Sequence, residues 1–379
     1  MAAPRSVVHV VGNSVIGGAE RHVRDVAGAM RVQGLDVEVI CPRPGPLTEA
    51  LAADGVPVRW REFVFPLPND EYALDPDALA WLTAYLRERQ PDVVHSHLYP
   101  AHLHATLAAH EVGVPAIVHT AHTLVVRTGD ALLARLGGAT TIATARSVAE
   151  RLVRGGVPAG QVRVVYNGVG REHLDAPSDA GDAVRASLGL GDRAVILVVA
   201  RLSREKGIDV LLDAMAAVIA ARADATLVVA GRGPERERLE TLAAARGVAQ
   251  AVRFLGARDD VAALYRACDV VALPSREEAC SLALLEAMAA AAPIVATSVG
   301  GTPELVRDGL DASLVPPDDD GALADAIVTL LADRPRARSL GASARRRARS
   351  RFTLDATVRD TIALYGELLA GATSQPTAR

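Results

Sequence analysis

The sequence is poor in lysine, aromatic residues and cysteine, and each shortage excludes a class of protein. Of the 41 lysines and arginines only Lys206 is a lysine, so nearly every basic side chain is a guanidinium group. Aromatic residues make up 3% of the chain while half of it is hydrophobic, which is typical of small aliphatic side chains packed in a globular core. The three cysteines, Cys41, Cys268 and Cys280, lack metal-ligand spacing and are too few for a disulfide framework. We therefore expect a folded protein with reduced thiols.

The chain also lacks an excess of positive charge and a long uninterrupted apolar run. Its formal net charge is -4, which argues against a dedicated nucleic-acid-binding protein. The longest apolar stretch, 283–296, is interrupted by Glu286 and Pro293 and is too short to span a bilayer. Few residues precede the first predicted strand, so we expect a cytoplasmic protein with no signal peptide and no integral membrane segment. The arginine-rich stretch 344–352 indicates a solvated helix end, with a peripheral membrane contact as the alternative.

Short apolar runs alternate with longer amphipathic stretches along most of the chain. Residues 6–12 predict a buried strand, and 18–34 predict a helix that ends at Gly34. This alternation is typical of a parallel, doubly wound α/β sheet. It lapses between about 170 and 192 and then begins again, so we expect two Rossmann-like domains. The other predicted strands are VEVI, PDVVH, PAIVH, TTIAT and VRVVY in the first series, and AVILVVA, TLVVA, VRFLG, DVVALP, PIVAT and ASLVP in the second.

The two domains are expected at 1–175 and 176–354, with a C-terminal helix at 355–372 packing back on the first. In such folds ligands bind beyond the carboxyl ends of the strands, where loops open helices. Two facing domains would form a cleft between these edges, which suits a reaction between two substrates.

One loop combines the only lysine with an arginine. Arg201 lies just beyond the strand AVILVVA, and Lys206 lies just before a helix predicted to begin near Gly207. The free N–H groups of that helix and the two cations favour a diphosphate. A compact ammonium with rotatable donors can follow phosphate oxygens as a bond breaks, whereas a guanidinium is a larger, rigid fork. The competing interpretation is a surface lysine left by chance.

A second loop combines two carboxylates with the start of a helix. The helix is predicted from about Ser281, after the strand DVVALP. Glu278 therefore lies in the loop and Glu286 in the helix, where they can reach different parts of one ligand. The backbone amides of Cys280, Ser281 and Leu282 would point at an anion. The alternative for Glu286 is a carboxylate that only complements the helix dipole.

Together these stretches resemble the retaining glycosyltransferases of family 4, which have the GT-B fold of two facing Rossmann-like domains. ARLSREKG matches the family's R-x-S-x-x-K-G loop, and EACSLALLE matches its E-x7-E motif. The resemblance implies a hexosyltransferase that takes its sugar from a UDP- or GDP-linked donor and retains anomeric configuration. It extends over nearly the whole chain, through GGAERHV, HTAH, VVYNGV, VVAGRGPERERLE, VRFLGARDDVAALYRACDVVALPS and VGGTPELV.

The resemblance also implies roles for individual residues. Arg201 and Lys206 would bind the donor diphosphate. Glu278 would contact the hexose and Glu286 the ribose. His122, which follows a predicted strand end, would hydrogen-bond the donor sugar near the reacting carbon. The implied catalytic residues are Arg201, Lys206, Glu278 and His122; further donor contacts are Gly17, Gly18, Gly231, Leu255, Cys280, Ser281, Leu282 and Glu286, and the acceptor side includes Glu20 and Asn167.

Three positions depart from the family pattern. The usual EGFG is EACS at 278–281, a glycine in the following helix-to-strand stretch is Ala291, and the aspartate that commonly follows NGV is Gly170. The first change alters the wall beside the donor sugar and leaves its identity undetermined. The acceptor is equally open: a small molecule, a glycan or a lipid-linked sugar would fit, and the comparatively aromatic stretch 60–75 is the predicted acceptor loop.

A concentration of histidines raises the alternative of a metal site. Neither a carboxylate nor a cysteine lies at ligand spacing beside those on the predicted helix, and the cations already serve the diphosphate. We therefore expect neither a metal nor another cofactor. The histidines are His95, His97, His102, His104, His110, His119 and His122.

Two further functions share this architecture. A sugar-nucleotide epimerase or a phosphorylase would have the same fold, but a phosphorylase needs a lysine for pyridoxal phosphate and Lys206 is already assigned to the phosphate loop. A catalytically weak sugar-nucleotide-binding module is the other alternative, if the EACS change has disabled turnover.

Overall fold

The computed structural model describes residues 3–67, 72–175 and 179–373, and the chain divides into two compact units. The first unit runs to Asn167 and includes the segment from Leu354 onward, and the second spans Gly168–Thr353. The first unit thus ends before the predicted position 175. The reason is local, because the short helix Arg171–Leu174 packs on the helix Leu282–Ala289 within the second unit.

The first unit is built on a parallel seven-stranded sheet. The order in space is β3-β2-β1-β6-β7-β8-β9, and β4 and β5 form a separate antiparallel pair. The strands are β1 (Ser6–Val11), β2 (Asp36–Cys41), β3 (Val58–Trp60), β4 (Phe65–Pro66), β5 (Tyr72–Ala73), β6 (Val93–His97), β7 (Ala116–Ala121), β8 (Thr140–Ala143) and β9 (Val162–Val164). Six α-helices among the described residues before 167 accompany them: α1 (Gly18–Val32), α2 (Pro46–Ala53), α3 (Pro76–Arg89), α4 (Tyr99–Val112), α5 (Thr128–Gly137) and α6 (Arg146–Arg154).

The second unit is built on a parallel six-stranded sheet in the order β12-β11-β10-β13-β14-β15. Its strands are β10 (Val195–Val199), β11 (Thr226–Ala230), β12 (Val252–Gly256), β13 (Val270–Leu273), β14 (Ile294–Thr297) and β15 (Ser313–Val315). Its helices are α7 (Arg171–Leu174), α8 (Ala180–Ser187), α9 (Ile208–Ala221), α10 (Arg236–Ala245), α11 (Val261–Ala267), α12 (Leu282–Ala289), α13 (Thr302–Leu305), α14 (Asp320–Ala332) and α15 (Arg334–Arg351).

The last helix, α16 (Leu354–Thr373), belongs to the first unit. Its Tyr365 is fully buried in the core that also contains Val7, Val93 and Val118 of the sheet. The face of α16 that carries Tyr365 therefore packs on the first sheet. No helix among the described residues has an apolar stretch long enough to cross a membrane.

Both sheets reverse their strand order at one point. The first strand of each sheet, β1 or β10, lies between the second strand and the strand that follows the crossover. The connections after the two central strands run to opposite sides of this point. The loops that follow these strands therefore separate and leave a crevice at the carboxyl edge of the sheet. In the second unit, those loops are the ones that follow β10 and β13, and they carry the residues that the sequence singled out.

Candidate active site

Glycines allow the loops of the second unit to approach one another closely. Gly207, with φ +62°, lies against Pro274, and a Cβ there would collide with the carbonyl oxygen of Pro274. Gly231, with φ +146°, meets Ala200 in the same way. Left-handed backbone and close contact both favour glycine. The loops after β10, β11 and β13 are thereby packed together. Only glycine fits at position 207, directly after the lysine, because a side chain there would collide with Pro274.

Lys206 and Glu278 form an ion pair in this packed region. The Nζ atom of Lys206 donates to Oε1 of Glu278 at 2.8 Å, and the Ser275 hydroxyl donates to the same oxygen at 2.8 Å. The Glu278 side chain is only 10% exposed. Two residues 72 positions apart, predicted to touch the diphosphate and the hexose, are therefore in direct contact.

Arg201 contrasts with this pair, although it lies in the same loop. It is exposed one residue beyond Ala200, and its guanidinium makes neither a hydrogen bond nor an ion pair with any residue that the structure describes. The backbone around it is fixed, because the Ala200 and Leu202 N–H groups donate to Ala230 and Arg232. A cation on a fixed loop, with its donors turned to solvent, is suited to meet an incoming anion.

The second carboxylate, Glu286, lies in the second turn of α12. Ser281 caps that helix, accepting a hydrogen bond from the Leu284 N–H at 3.3 Å. Glu286 is 3% exposed and accepts a hydrogen bond from the Tyr265 hydroxyl at 3.1 Å, with His173 Nε2 at 3.8 Å from its other oxygen. Burial with two polar neighbours shows that Glu286 does more than complement the helix dipole.

Sequence reasoning missed Tyr265 and His173. Tyr265 follows apolar positions 261 and 264 on α11, a pattern that indicates only a buried face. The remaining donor-side predictions lie around the same edge of the sheet: Cys280 is buried beside the cap, Leu282 opens α12, and Leu255 lies in β12 beside Gly256, whose carbonyl accepts the Gly231 N–H.

In the first unit, Glu20 is occupied by its own helix. The Gly17 N–H donates to its carboxylate at 3.0 Å, at the start of α1, where a negative charge is favourable. A Cβ on Gly17 would come within 2.9 Å of that carboxylate, whereas Gly18 has no neighbour within 4 Å of where its Cβ would be. Glu20 therefore has a structural role at the start of α1, which differs from the predicted contact with the acceptor. Asn167 is buried at the end of the first unit.

His122 follows β7 and is part of a cluster of five histidines that also includes His9, His22, His95 and His97. His9 Nδ1 and His97 Nε2 are 3.0 Å apart, and His97 Nδ1 and His122 Nε2 are 3.1 Å apart. His9 and His95 are paired in the register of β1 and β6, and their rings are in contact. The sequence showed no sign of His9 or His22 as partners, because the pairing of two strands far apart in the chain brings them together.

Burial keeps these histidines neutral. It lowers the pKa of His9 to about 3 and that of His22 to about 4, from an ordinary value of 6.5. Burial, with the neighbouring histidines, also holds the pKa values of His95, His97 and His122 well below that value.

The cluster bears on the predicted absence of a metal. Ring nitrogens of His9, His95 and His97, and of His22, His97 and His122, lie within 4.8 Å of one another, which is close enough to share an ion. However, both nitrogens of His95 are already bonded, to Tyr365 at 2.5 Å and Thr120 at 2.7 Å. In the other group, Nδ1 of His97 and Nε2 of His122 are already bonded to each other. The absence of a metal stays a prediction.

Two of the three histidines on α4, His102 and His104, have structural partners outside this cluster. His104 accepts the Asp75 N–H at 3.0 Å, and His102 stacks on His119 with ring centroids 3.8 Å apart. The predicted acceptor loop 60–75 is described except at 68–71, which lie outside the described residues. Next to it, the Arg127 guanidinium lies over the rings of Tyr72 and Tyr99.

Two doubly wound units, with cation–carboxylate loops at the carboxyl edge of the second, are typical of a GT-B glycosyltransferase. Residues 16–173 match the family model "Glycosyltransferase Family 4", and 182–347 match "Glycosyl transferases group 1". The chain is 34% identical to the D-inositol 3-phosphate glycosyltransferase of Salinispora tropica, over 96% of this chain and 84% of that protein. It is also 34% identical to the enzyme of the same name from Acidothermus cellulolyticus, over 100% of this chain and 92% of that one. The chain therefore belongs to the glycosyltransferases of family 4.

Solved structures confirm the fold. HepE from Anabaena, in complex with UDP and glucose, superposes with a TM-score of 0.84 at 24% identity, covering 96% of this chain and 99% of that one. The same protein in complex with UDP-glucose gives 0.83 at 25% identity, over 96% and 99%. The predicted two-domain α/β GT-B fold and the family are thus confirmed, while the cleft between the domains and the roles of individual residues stay predictions.

Proposed function

We propose that this glycosyltransferase moves a hexose from a UDP-linked donor to a hydroxyl group of a phosphorylated cyclitol, with retention of anomeric configuration. The observation that carries the proposal is the contact of Lys206 with Glu278 beside the free cation Arg201. UDP is favoured over GDP because structural neighbours were solved with UDP and UDP-glucose. The acceptor class is suggested by the relatives named for inositol 3-phosphate.

Charge on the leaving diphosphate is the main demand of this reaction. Arg201 and Lys206 supply two cations, and the capped start of α12 supplies backbone N–H groups. Donors fixed before the reaction stabilise developing charge without reorganising, which is usually the largest electrostatic contribution to catalysis. Lys206 would exchange its contact with Glu278 for a phosphate oxygen when the donor binds.

The two carboxylates would then divide the donor between them. Glu278, still held by Ser275, accepts hydrogen bonds from hexose hydroxyls, and Glu286 accepts them from the ribose. Tyr265 keeps the Glu286 carboxylate in place. Because Glu278 is then occupied by the Ser275 hydroxyl and the hexose hydroxyls, we assign it to binding and propose that the leaving phosphate itself helps to deprotonate the acceptor.

Turnover should be measured with UDP-glucose and inositol 3-phosphate, following the sugar product by mass spectrometry and its anomeric proton coupling by NMR. The proposal expects a product with the donor's anomeric configuration. An inverted product would contradict retention. Isomerised sugar nucleotide without transfer would instead show an epimerase, and donor binding without any product from a panel of UDP-hexoses would show a binding module.

Activity should survive chelation, because side-chain cations do the work that a divalent ion does elsewhere. Preincubation with EDTA should leave kcat/KM within about twofold of its untreated value. The control is the same enzyme with Mg²⁺ or Mn²⁺ restored. Complete loss on chelation, reversed by a metal, would contradict the assignment and point to the histidine cluster.

Substitution of the two carboxylates should separate their roles. Glu278→Gln should weaken UDP-hexose at least tenfold and free UDP little, because a charged hydrogen bond to the sugar is worth about 1.5–3 kcal/mol. Glu286→Gln should weaken both ligands alike. Calorimetry with UDP and UDP-glucose measures this difference, and Glu277→Gln, an exposed neighbour, is the matched control. If Glu278→Gln weakens the binding of UDP and of UDP-glucose equally, Glu278 does not contact the hexose.

A further inference from the structure

Three histidines of the first unit form a continuous chain of hydrogen bonds. His9 bonds to His97 through Nδ1 and Nε2 at 3.0 Å, and His97 bonds onward to His122 through Nδ1 and Nε2 at 3.1 Å. His9 and His97 are fully buried on neighbouring strands, while His122 is only partly buried beyond the end of β7. The chain therefore leads from the core of the sheet to the residue predicted to contact the donor sugar.

Such a chain has only two possible proton arrangements. Burial lowers the pKa of His9 to about 3 and holds those of His97 and His122 well below 6.5, so all three rings are neutral near pH 7. A neutral imidazole carries one N–H and one lone pair. Every link must therefore donate in the same direction, either toward His122 or away from it.

The inner end of the chain decides the direction. His9 Nε2 is buried and makes no hydrogen bond with any described residue. A buried N–H without an acceptor is rarer in proteins than an acceptor that is not fully satisfied. Nε2 of His9 is thus the bare nitrogen, and its Nδ1 carries the proton that is donated to His97. His97 in turn donates from Nδ1 to His122 Nε2.

We propose that His9 and His97 are positioning residues that hold His122 in the tautomer with its proton on Nδ1, so that His122 acts as a hydrogen-bond donor. Among the described residues, no hydrogen bond engages His122 Nδ1. The natural acceptor is an oxygen of the ligand that His122 contacts. That ligand is the donor hexose if the proposed function is correct, whereas the tautomer itself does not depend on the reaction.

The tautomer can be measured directly in the unmodified protein. The experiment is ¹⁵N NMR of histidine-labelled enzyme at pH 7.5, with the His122 signals assigned by their loss in His122→Gln. We expect the proton of His122 on Nδ1 and that of His9 on Nδ1 as well. A proton on Nε2 of His122 would overturn the proposal. Stoichiometric zinc in the purified protein, with metal-shifted signals from His22, His97 and His122, would overturn it too.

Variants test the dependence on His97. His97→Leu removes the donor to His122 and should move the His122 proton to Nε2. The KM for UDP-hexose should then rise about tenfold, because the neutral hydrogen bond from His122 to the ligand is lost and the ligand oxygen is left without a partner. His97→Asn keeps an amide N–H near the position of Nδ1 and should restore the wild-type tautomer and most of the affinity. His119→Asn is the control, because His119 is equally buried on β7 but bonds to Ser96.

The outcomes separate this proposal from the proposed function. An Nδ1 proton on His122 in a protein that uses no UDP-hexose would leave the positioning chain intact and reject the donor assignment. If His97→Leu folds and the tautomer of His122 is unchanged, the proposed role of the His9–His97–His122 hydrogen bonds is wrong, whatever the activity of the variant. If His97→Leu does not fold, the wild-type spectrum and His97→Asn decide.

Discussion

Lys206→Ala should lower kcat/KM at least tenfold and up to about 150-fold, the range of a charge-assisted hydrogen bond in a closed site. The loss should fall mainly on kcat, because the diphosphate carries more charge in the transition state than in the bound donor. The substitution also leaves the Glu278 carboxylate with only the Ser275 hydroxyl as a hydrogen-bond partner among the described residues, so a thermal melt must accompany the kinetics. Unchanged kcat with a raised KM would show that Lys206 contributes only uniform binding.

Lys206→Arg is the sharper form of this test. It keeps the charge in a side chain that the protein uses everywhere else, so a mere surface role predicts no effect. Lys206 Nζ is only 2.8 Å from Glu278, on a turn whose next residue packs against Pro274, so a larger planar group cannot take the same place. We expect donor binding to persist and turnover to fall about tenfold or more.

The matched control is Arg204→Lys, which makes the reciprocal exchange two residues earlier in the same turn. Arg204 is exposed, and it is the backbone carbonyl rather than the side chain that bonds to Arg276. Its replacement should leave activity unchanged. Full activity in Lys206→Arg, with unchanged stability, would show that the only lysine is an accident of composition.

The features that the sequence predicted well are those that depend on neighbours along the chain. Strands buried on both faces appear as short apolar runs, so β1 and β10 were recognised from 6–12 and from AVILVVA. The position of Lys206 before α9 follows from the glycine that ends its turn. The loops that carry the candidate site of the second unit could be located for the same reason, because they directly follow strands, whereas the roles of their residues stay predictions.

The features that the sequence could not predict depend on register and burial. His9 meets His95 only because β1 and β6 pair in one particular register. The contact of Tyr265 with Glu286 joins two helices whose packing is decided in three dimensions. The capping role of Glu20 could not be predicted, because a glutamate at this position of the sequence is equally compatible with a contact to a ligand.

Mild acid should unfold the first unit. A buried histidine whose folded pKa lies below the unfolded value binds fewer protons when folded, so the free energy of unfolding is largest above pH 6.5 and falls as the pH drops toward the folded pKa. That window runs from about 6.5 to 4 for His22 and to 3 for His9 and His102. At pH 5 one such histidine lowers the free energy of unfolding by about 2 kcal/mol, and all three act in the same direction. A loss of this size is a large fraction of the stability of a typical domain.

Tryptophan fluorescence reports this transition selectively, because both tryptophans, Trp60 and Trp81, belong to the first unit. Urea titrations at pH 8 and pH 5 should show a large fall in the fluorescence midpoint. Nine of the ten histidines also lie in the first unit, with His173 the exception. The far-ultraviolet circular dichroism should therefore become biphasic at pH 5, with the helices of the second unit melting later.

A matched pair of variants on α4 assigns the effect to burial. His102 is fully buried, whereas His110 on the same helix is exposed. His102→Gln removes a titrating group and should recover about 2 kcal/mol of the difference in unfolding free energy between pH 8 and pH 5. His110→Gln should leave that difference unchanged. The comparison uses the pH dependence rather than absolute stability, so a constant packing cost of the His102 substitution cancels. Equal pH dependence in both variants and the wild type would show that the burial of His102 does not contribute to the acid sensitivity of the first unit.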